Sequence, residues 1–377
     1  MKKIPFYRHN LGAAELKEIR KVLQGPILTT GYQVEEFERR FSAYLGCRDT
    51  VACTSWTAAA HITLVALGIG PGDEVITSPL TFVATATAII QAGAVPVFVD
   101  CERTTGNLDA TKIEKAISRK TKAIMPVHLY GRMCDMVAIH RIAKKHHLRL
   151  IEDAAHCIEG RRSGVRPGQL SDAACFSFFA TKNLACGEGG AVSFNGKELS
   201  VILRRLRLHG ITKTSADRER EGYSHWDMPK FGWKYNMDNI HGAILLAQLK
   251  KFPANIKKRQ KAAQYYQNLL KQITRIKILK NKKGEFHAHH LMPIFVPEKI
   301  RDATINHLKK IGIYTTINYT PVHWLSFFKK QDRYKSQSFP NAEKLGKEEI
   351  SLPFYPNINR KTIRFICDRL MSILGNI

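Results

Sequence analysis

Leu148-Arg149-Leu150-Ile151-Glu152-Asp153-Ala154-Ala155-His156 is the stretch on which the fold turns. An apolar run that ends abruptly in two carboxylates reads as a buried strand whose carboxyl end faces a ligand, the position at which open α/β sheets bind small molecules. The same kind of strand recurs on the N-terminal side. Residues 51–53, 74–77, 95–100 and 123–128 read as strands alongside 148–152. Helical patterns at 58–67, 82–92, 109–118 and 135–146 separate them. Strands alternating with helices predict an α/β fold with a mostly parallel central sheet flanked by helices. On the C-terminal side, 173–179 and 190–194 add strands around a glycine-rich turn, and 237–249 resumes as a helix. Residues 211–232 are polar without a periodic apolar face and read as a long loop. From 251 the composition turns lysine-rich, so a large domain at 1–250 and a smaller C-terminal α/β domain at 251–377 are expected.

Composition narrows the function classes. The 377 residues are 44% hydrophobic and 24% charged, which excludes a mainly disordered chain. No apolar run approaches the ~20 residues of a membrane span, and Met1-Lys2-Lys3-Ile4-Pro5 opens no secretory signal. A cytoplasmic protein with no membrane partner is expected. Lys and Arg number 59 against 32 Asp and Glu, a net +27. The excess is concentrated at 251–377, with 25 basic against 8 acidic residues. A basic protein raises the question of nucleic acid, but the lysine doublets are scattered, with no arginine-rich arm and no Cys/His finger spacing. An anionic substrate accounts for the charge equally well, and nucleic acid is not expected as a partner. Eight cysteines without a CxxC pair point to reduced, buried thiols, with neither a disulfide framework nor a metal site.

Three pieces carry chemistry. Asp153, at the end of its strand, is costly unless it meets a cation or caps a helix. Lys182 follows the aromatic strand Ser177-Phe178-Phe179 and precedes Gly187-Glu188-Gly189-Gly190. Partial desolvation there favours the neutral amine and hence a Schiff-base nucleophile, against the plain alternative of a surface lysine at a hairpin. Cys53-Thr54-Ser55-Trp56-Thr57-Ala58 breaks from a strand into hydroxyl residues at a helix start, which is either an anion site or an ordinary N-cap. A Schiff-base lysine, a carboxylate for a pyridinium nitrogen and a phosphate cradle together make the protein equipment for pyridoxal 5′-phosphate (PLP).

Over nearly its whole length the chain resembles the DegT/DnrJ/EryC1/StrS family of PLP-dependent nucleotide-sugar aminotransferases, of PLP fold-type I. The resemblance rests on Leu28-Thr29-Thr30-Gly31, Gly72-Asp73-Glu74-Val75-Ile76, Pro79-Leu80-Thr81-Phe82-Val83-Ala84-Thr85, Val127-His128-Leu129-Tyr130-Gly131, Glu152–His156, Thr181-Lys182-Asn183-Leu184 and the Gly187–Gly190 turn. It implies that Lys182 forms the Schiff base and shuttles the proton, and that Asp153 holds the pyridine nitrogen protonated. It implies His156 against the ring or its phenolic oxygen, Phe82 stacked on the other face, and Thr57, the Ala58 amide and Ser177 on the phosphate. Lys234 and Asn236 would close the phosphate site of a partner subunit in a homodimer with shared active sites. Thr30, Tyr319 and His323 would face the sugar, the last two because Tyr319-Thr320-Pro321-Val322-His323 resembles a family stretch near the sugar-nucleotide entrance.

The implied reaction passes an amino group from glutamate to a keto carbon, C4 ahead of C3, of a nucleotide-linked sugar, UDP-linked by resemblance of His61-Ile62-Thr63-Leu64 and Lys234-Tyr235-Asn236. Such amino sugars serve cell-surface polysaccharide or secondary-metabolite synthesis. The chain departs from the family at Trp56, at Tyr32 and at Phe179-Ala180. Two other functions stay open on the residues: a sugar-nucleotide dehydratase or lyase of the same family, and a basic nucleic-acid-binding regulator on the same scaffold. Lys182 argues against the first, because the dehydrating branch carries His there.

Overall fold

The computed structural model describes residues 3–376 except 215, 216, 218, 220, 221, 223, 224, 280, 282 and 283. Seven strands form the main sheet: β1 (Asp49–Cys53), β2 (Glu74–Thr77), β3 (Val95–Phe98), β4 (Thr121–Met125), β5 (Arg149–Asp153), β6 (Ala173–Ser177) and β7 (Gly190–Phe194). Their spatial order is β1-β7-β6-β5-β4-β2-β3, which puts β5 at the centre. Only β7 runs against its neighbours, with Ala174 opposite Ser193 and Ala52 opposite Ala191. The carboxyl ends of β1, β2, β4, β5 and β6 therefore share one edge of the sheet, together with the start of β7. Most of these strands are buried along their length, as the covering helices require.

The helices up to residue 270 include α1 (Ala13–Leu23), α2 (Tyr32–Leu45), α3 (Trp56–Ala66), α4 (Ala84–Gln91), α5 (Ala110–Ile113), α6 (Met136–Lys145), α7 (Lys197–Leu206) and α8 (Asn239–Leu270). In α3 every residue from Ala58 to Leu64 is buried, so it lies between the sheet and its neighbours α4 and α7 rather than on the surface. Gly190 is required where α3 begins. A Cβ there would lie 2.3 Å from the backbone carbon and oxygen of Ser55. Gly190→Ala is expected to lower unfolding stability by about 1–3 kcal/mol, read from the denaturation midpoint, because backbone atoms must move.

Helix α8 passes through the 250/251 division. Its first half packs Ile244, Leu245 and Leu246 with Val34, Phe37 and Phe41 of α2. Its second half packs Ala262, Ala263, Tyr266 and Leu270 with the helix Arg360–Asn376 and with β8 (Met292–Phe295) and β9 (Glu349–Leu352). The lysine-rich composition begins where the helix leaves one core for the other. Strands β8 and β9 pair antiparallel, Met292 opposite Leu352. Of the expected loop at 211–232, seven residues lie outside the described set. Its flanks meet, with the Thr212 amide donating to the Asp227 carbonyl at 2.9 Å. Among the described residues no helix is long and apolar enough to cross a membrane, and no cluster of His, Cys, Asp and Glu is arranged to hold a metal. All eight cysteines are buried and unpaired.

Candidate active site

The shared edge of strand ends encloses a cavity of about 460 Å³, within the ~300–1,000 Å³ of small-molecule sites. Asp153 ends β5 and is only 5% exposed. Its Oδ2 accepts from the Thr85 hydroxyl at 2.8 Å and its Oδ1 from the Ala155 amide at 3.1 Å. Thr81 stands behind, its hydroxyl 2.7 Å from that of Thr85. Because the Thr85 proton is committed to Asp153, Thr81 donates to Thr85. Burial raises the Asp153 pKa, against the pull of these hydrogen bonds and of Lys182. No cationic side chain among the described residues makes a salt bridge with Asp153.

Lys182 borders the same space, two residues past Ala180. Protein encloses its side chain deeply enough that desolvation lowers the amine to about 8, with Asp153 opposing. Below that value the protonated fraction is unreactive, so the rate at which apoprotein Lys182 captures an added aldehyde is expected to rise about tenfold per pH unit towards 8 and to level off above it. Stopped-flow absorbance with pyridoxal phosphate reads this directly. A rate flat between pH 6 and 8 would contradict it.

His156 is held at both ring nitrogens. Nδ1 accepts from the Tyr130 amide at 3.3 Å, which leaves the proton on Nε2 to donate to the Tyr319 hydroxyl oxygen at 3.0 Å. Burial and the Lys182 charge push its pKa well below the usual histidine value, so the ring is neutral. Phe82, 57% exposed, stands across the opening with its ring centroid 5.7 Å from that of Tyr319. Thr57 and Ser177 line the cavity with Ser55 and Trp56, the first residues around the α3 N-terminus. Trp56 does fill this end: it is 6% exposed and donates from Nε1 to the Cys175 carbonyl at 3.1 Å.

Seven of the residues expected at the site line this one cavity: Thr57, Phe82, Asp153, His156, Ser177, Lys182 and Tyr319. The other five, Thr30, Ala58, Lys234, Asn236 and His323, do not. The Ala58 amide donates to Ser55 Oγ at 3.1 Å, which makes it the N-cap bond of α3 rather than an open phosphate donor. His323 lies outside the cavity lining. The Val322 amide bonds to the Pro79 carbonyl and turns His323 inward, onto Glu343 at 3.2 Å and the Phe339 ring. Thr30 is buried away from the cavity, donating to the Met237 carbonyl and accepting from Asn236 Nδ2 at 2.8 Å. Asn236 and the exposed Lys234, expected to serve a partner's site, lie outside this protomer's own cavity.

Among the wall residues that sequence reasoning missed are Thr85, Thr81 and Phe6. Thr85 and Thr81 sit within the quoted 79–85 stretch, yet nothing local ties them to a carboxylate 68 positions later. Phe6 arrives from an N-terminal segment whose Ile4 pairs with Ile313 and whose Tyr7 hydroxyl donates to the Ala180 carbonyl. Thr85→Val is expected to cost about tenfold in turnover, the effect of one hydrogen bond to a charged group at ~1.5 kcal/mol, with folding retained by circular dichroism.

The donor set fits PLP on its chemistry. A buried carboxylate without a cationic protein partner matches a protonated pyridine nitrogen. A lysine whose amine is lowered to about 8 matches an aldehyde, and the hydroxyls and amides at the α3 start match a phosphate.

Comparison with known proteins agrees. The model of the DegT/DnrJ/EryC1/StrS aminotransferase family matches residues 9–371. The spore coat polysaccharide biosynthesis protein SpsC of Bacillus subtilis is 38% identical over 377 residues, covering 98% of this chain and 97% of SpsC. The structure of DesV from S. venezuelae in complex with a ketimine intermediate superposes with a TM-score of 0.92 at 32% identity, covering 100% of both chains. The PLP form of Spr1654 from Streptococcus pneumoniae gives a TM-score of 0.92 at 28% identity, covering 100% of this chain and 99% of that one. The chain is thus an α/β enzyme of the PLP-dependent aminotransferases and belongs to the DegT/DnrJ/EryC1/StrS aminotransferase family.

Proposed function

We propose that this aminotransferase takes an amino group from glutamate and delivers it to the C4 keto carbon of a UDP-linked sugar. The observation that carries the reading is the meeting of Lys182, Asp153 and the α3 N-terminus around one cavity. When bound, PLP supplies an electron sink for the carbon that gains or loses a proton. The protein does the rest. Asp153 holds the ring nitrogen protonated, and Thr85 and Thr81 aim its carboxylate. Lys182 would be the nucleophile that holds the cofactor aldehyde and the base and acid that moves the proton at the reacting carbon. Neutral His156, oriented by the Tyr130 amide and Tyr319, would bear on the cofactor ring. Thr57, Ser177 and the free amides at the start of α3 take the phosphate.

The functional unit in this reading is a homodimer. Thr30 and Asn236 are bonded to each other outside the lining of their own cavity, and Asn236 Oδ1 is buried with no hydrogen-bond partner among the described residues. Those positions suit a contribution to the partner subunit's phosphate site. The excess positive charge favours a diphosphate-bearing substrate. A spore coat polysaccharide protein among its relatives supports a role in making amino sugars for surface polysaccharide. Incubating the holoenzyme with glutamate and a panel of 4-keto and 3-keto sugar nucleotides, with mass spectrometry of the products, tests the reading. The expected product is a 4-amino sugar. Amination at C3 alone, or of no sugar nucleotide at all, would overturn it.

A further inference from the structure

His290 borders the same cavity and has no part in holding the cofactor. It comes from the 287–291 segment that leads into β8, and its ring lies against His156 with centroids 4.3 Å apart. Asn183, the residue after Lys182, decides which of its nitrogens is protonated. Asn183 Nδ2 donates to Glu159 Oε1 at 2.6 Å and to the Ala288 carbonyl at 3.0 Å. The carbonyl can only accept, so the amide orientation is fixed and Asn183 Oδ1 is turned to His290. His290 Nδ1, 3.3 Å away, must then be the donor. The groups around the ring keep it from taking a second proton: it is buried, and His156, Lys182 and Arg259 all oppose a further positive charge. The Arg259 guanidinium also bonds to the carbonyls of His289 and His290, which pins the segment. Nε2 is left with a lone pair and no partner among the described residues.

We propose that His290 Nε2 accepts a hydrogen bond from a hydroxyl of the sugar, with Asn183 and Glu159 as positioning residues that fix its tautomer. This rests on the nucleotide-sugar reading of the site. The acceptor character selects the ligand group. In its aldehyde form PLP has only acceptors at the phosphate and phenolic oxygens, its ring nitrogen belongs to Asp153, and the amino group of its aminated form is the group to be transferred, so a lasting donor for this lone pair must come from the substrate. A keto sugar carries hydroxyl donors beside its carbonyl, and a buried acceptor discriminates against an analogue that lacks the matching hydroxyl.

His290→Phe keeps a ring against His156 and removes the acceptor, whereas His290→Gln places an amide oxygen near the lost nitrogen. In the holoenzyme the phenylalanine variant is expected to lower kcat/KM for the keto sugar nucleotide about tenfold, mostly through KM, with partial recovery in the glutamine variant. The amino-donor half-reaction, followed by cofactor absorbance, should stay within about twofold. Of a set of deoxy analogues, the one missing the bonded hydroxyl should be turned over equally by wild type and His290→Phe. Equal losses in both half-reactions, or an unchanged kcat/KM for the sugar, overturn the contact. Nitrogen-15 spectra of labelled histidine, with the His290 signal identified by its loss in His290→Phe, test the tautomer separately. Protonation at Nδ1 alone is expected at neutral pH. A signal protonated at Nε2 overturns the proposal whatever the substrate proves to be. A wild-type enzyme that aminates no sugar nucleotide overturns the functional reading and the sugar contact together, even with the Nδ1 tautomer found.

Discussion

Lys182→Ala is expected to abolish amine transfer, a fall of about ten-thousandfold or more, while leaving the protein folded. Two losses combine. The variant has no amine to bond to the cofactor aldehyde, and no base near the carbon that exchanges its proton. Removing the side chain should not unfold the chain, because among the described residues the amine has no hydrogen-bond or salt-bridge partner, and its burial lowers its pKa to about 8. The phosphate end of the site remains, so the cofactor is expected to bind without forming the Schiff-base absorption band. Circular dichroism, the visible spectrum and labelled-glutamate turnover check the three parts separately. Residual turnover within about a hundredfold of wild type would mean that another group moves the proton.

Asp153→Asn is the second large effect. The substitution keeps the shape of the side chain and a partner for Thr85, but removes the negative charge that a protonated pyridine nitrogen needs. An electrostatic contact of this kind at a buried site is worth about a hundredfold to a thousandfold in rate. The loss should fall on kcat in both half-reactions, because the same ring serves both. The pH dependence follows from direction. Burial raises the Asp153 carboxyl above its usual value, and a ring cation lowers it again. Cofactor affinity should therefore weaken as the pH falls into the carboxyl range and the anion is lost. In Asp153→Asn that weakening should be absent, which a titration of cofactor binding against pH would show.

The sheet was legible because its strands are short, apolar and bounded by turn residues. The strands expected at 74–77 and 190–194 coincide with β2 and β7, and that at 148–152 differs from β5 by a single residue at each end. The expected strand at 123–128 ran too far, because Pro126 follows Met125 and the chain then turns to pair only Val127 with Asp153. The composition change at 251 was real, but it marks exposed lysines such as Lys257, Lys258 and Lys261 on the outer face of one continuous helix.

Asp153 and Ser177 were readable because each ends a strand, and Lys182 because it follows an aromatic strand and precedes a glycine-rich turn. Thr85, Phe6 and His290 were not. Their contribution depends on which segments the fold brings to the cavity, and His290 lies among His287, His289 and His290, where spacing alone gives no reason to prefer one ring. His323 stands outside the cavity although its motif suggested otherwise. Its motif resembled a site stretch, while the Val322 bond to Pro79 carries its side chain into the core between the two halves of the molecule.

The most direct test is the fate of the nitrogen. Holoenzyme incubated with nitrogen-15 glutamate and a UDP-linked 4-keto sugar should yield a sugar nucleotide carrying the label at C4, seen by mass spectrometry and placed by NMR, with 2-oxoglutarate formed in equal amount. A sugar nucleotide that loses water and gains no label, or label released only as ammonia, would contradict it.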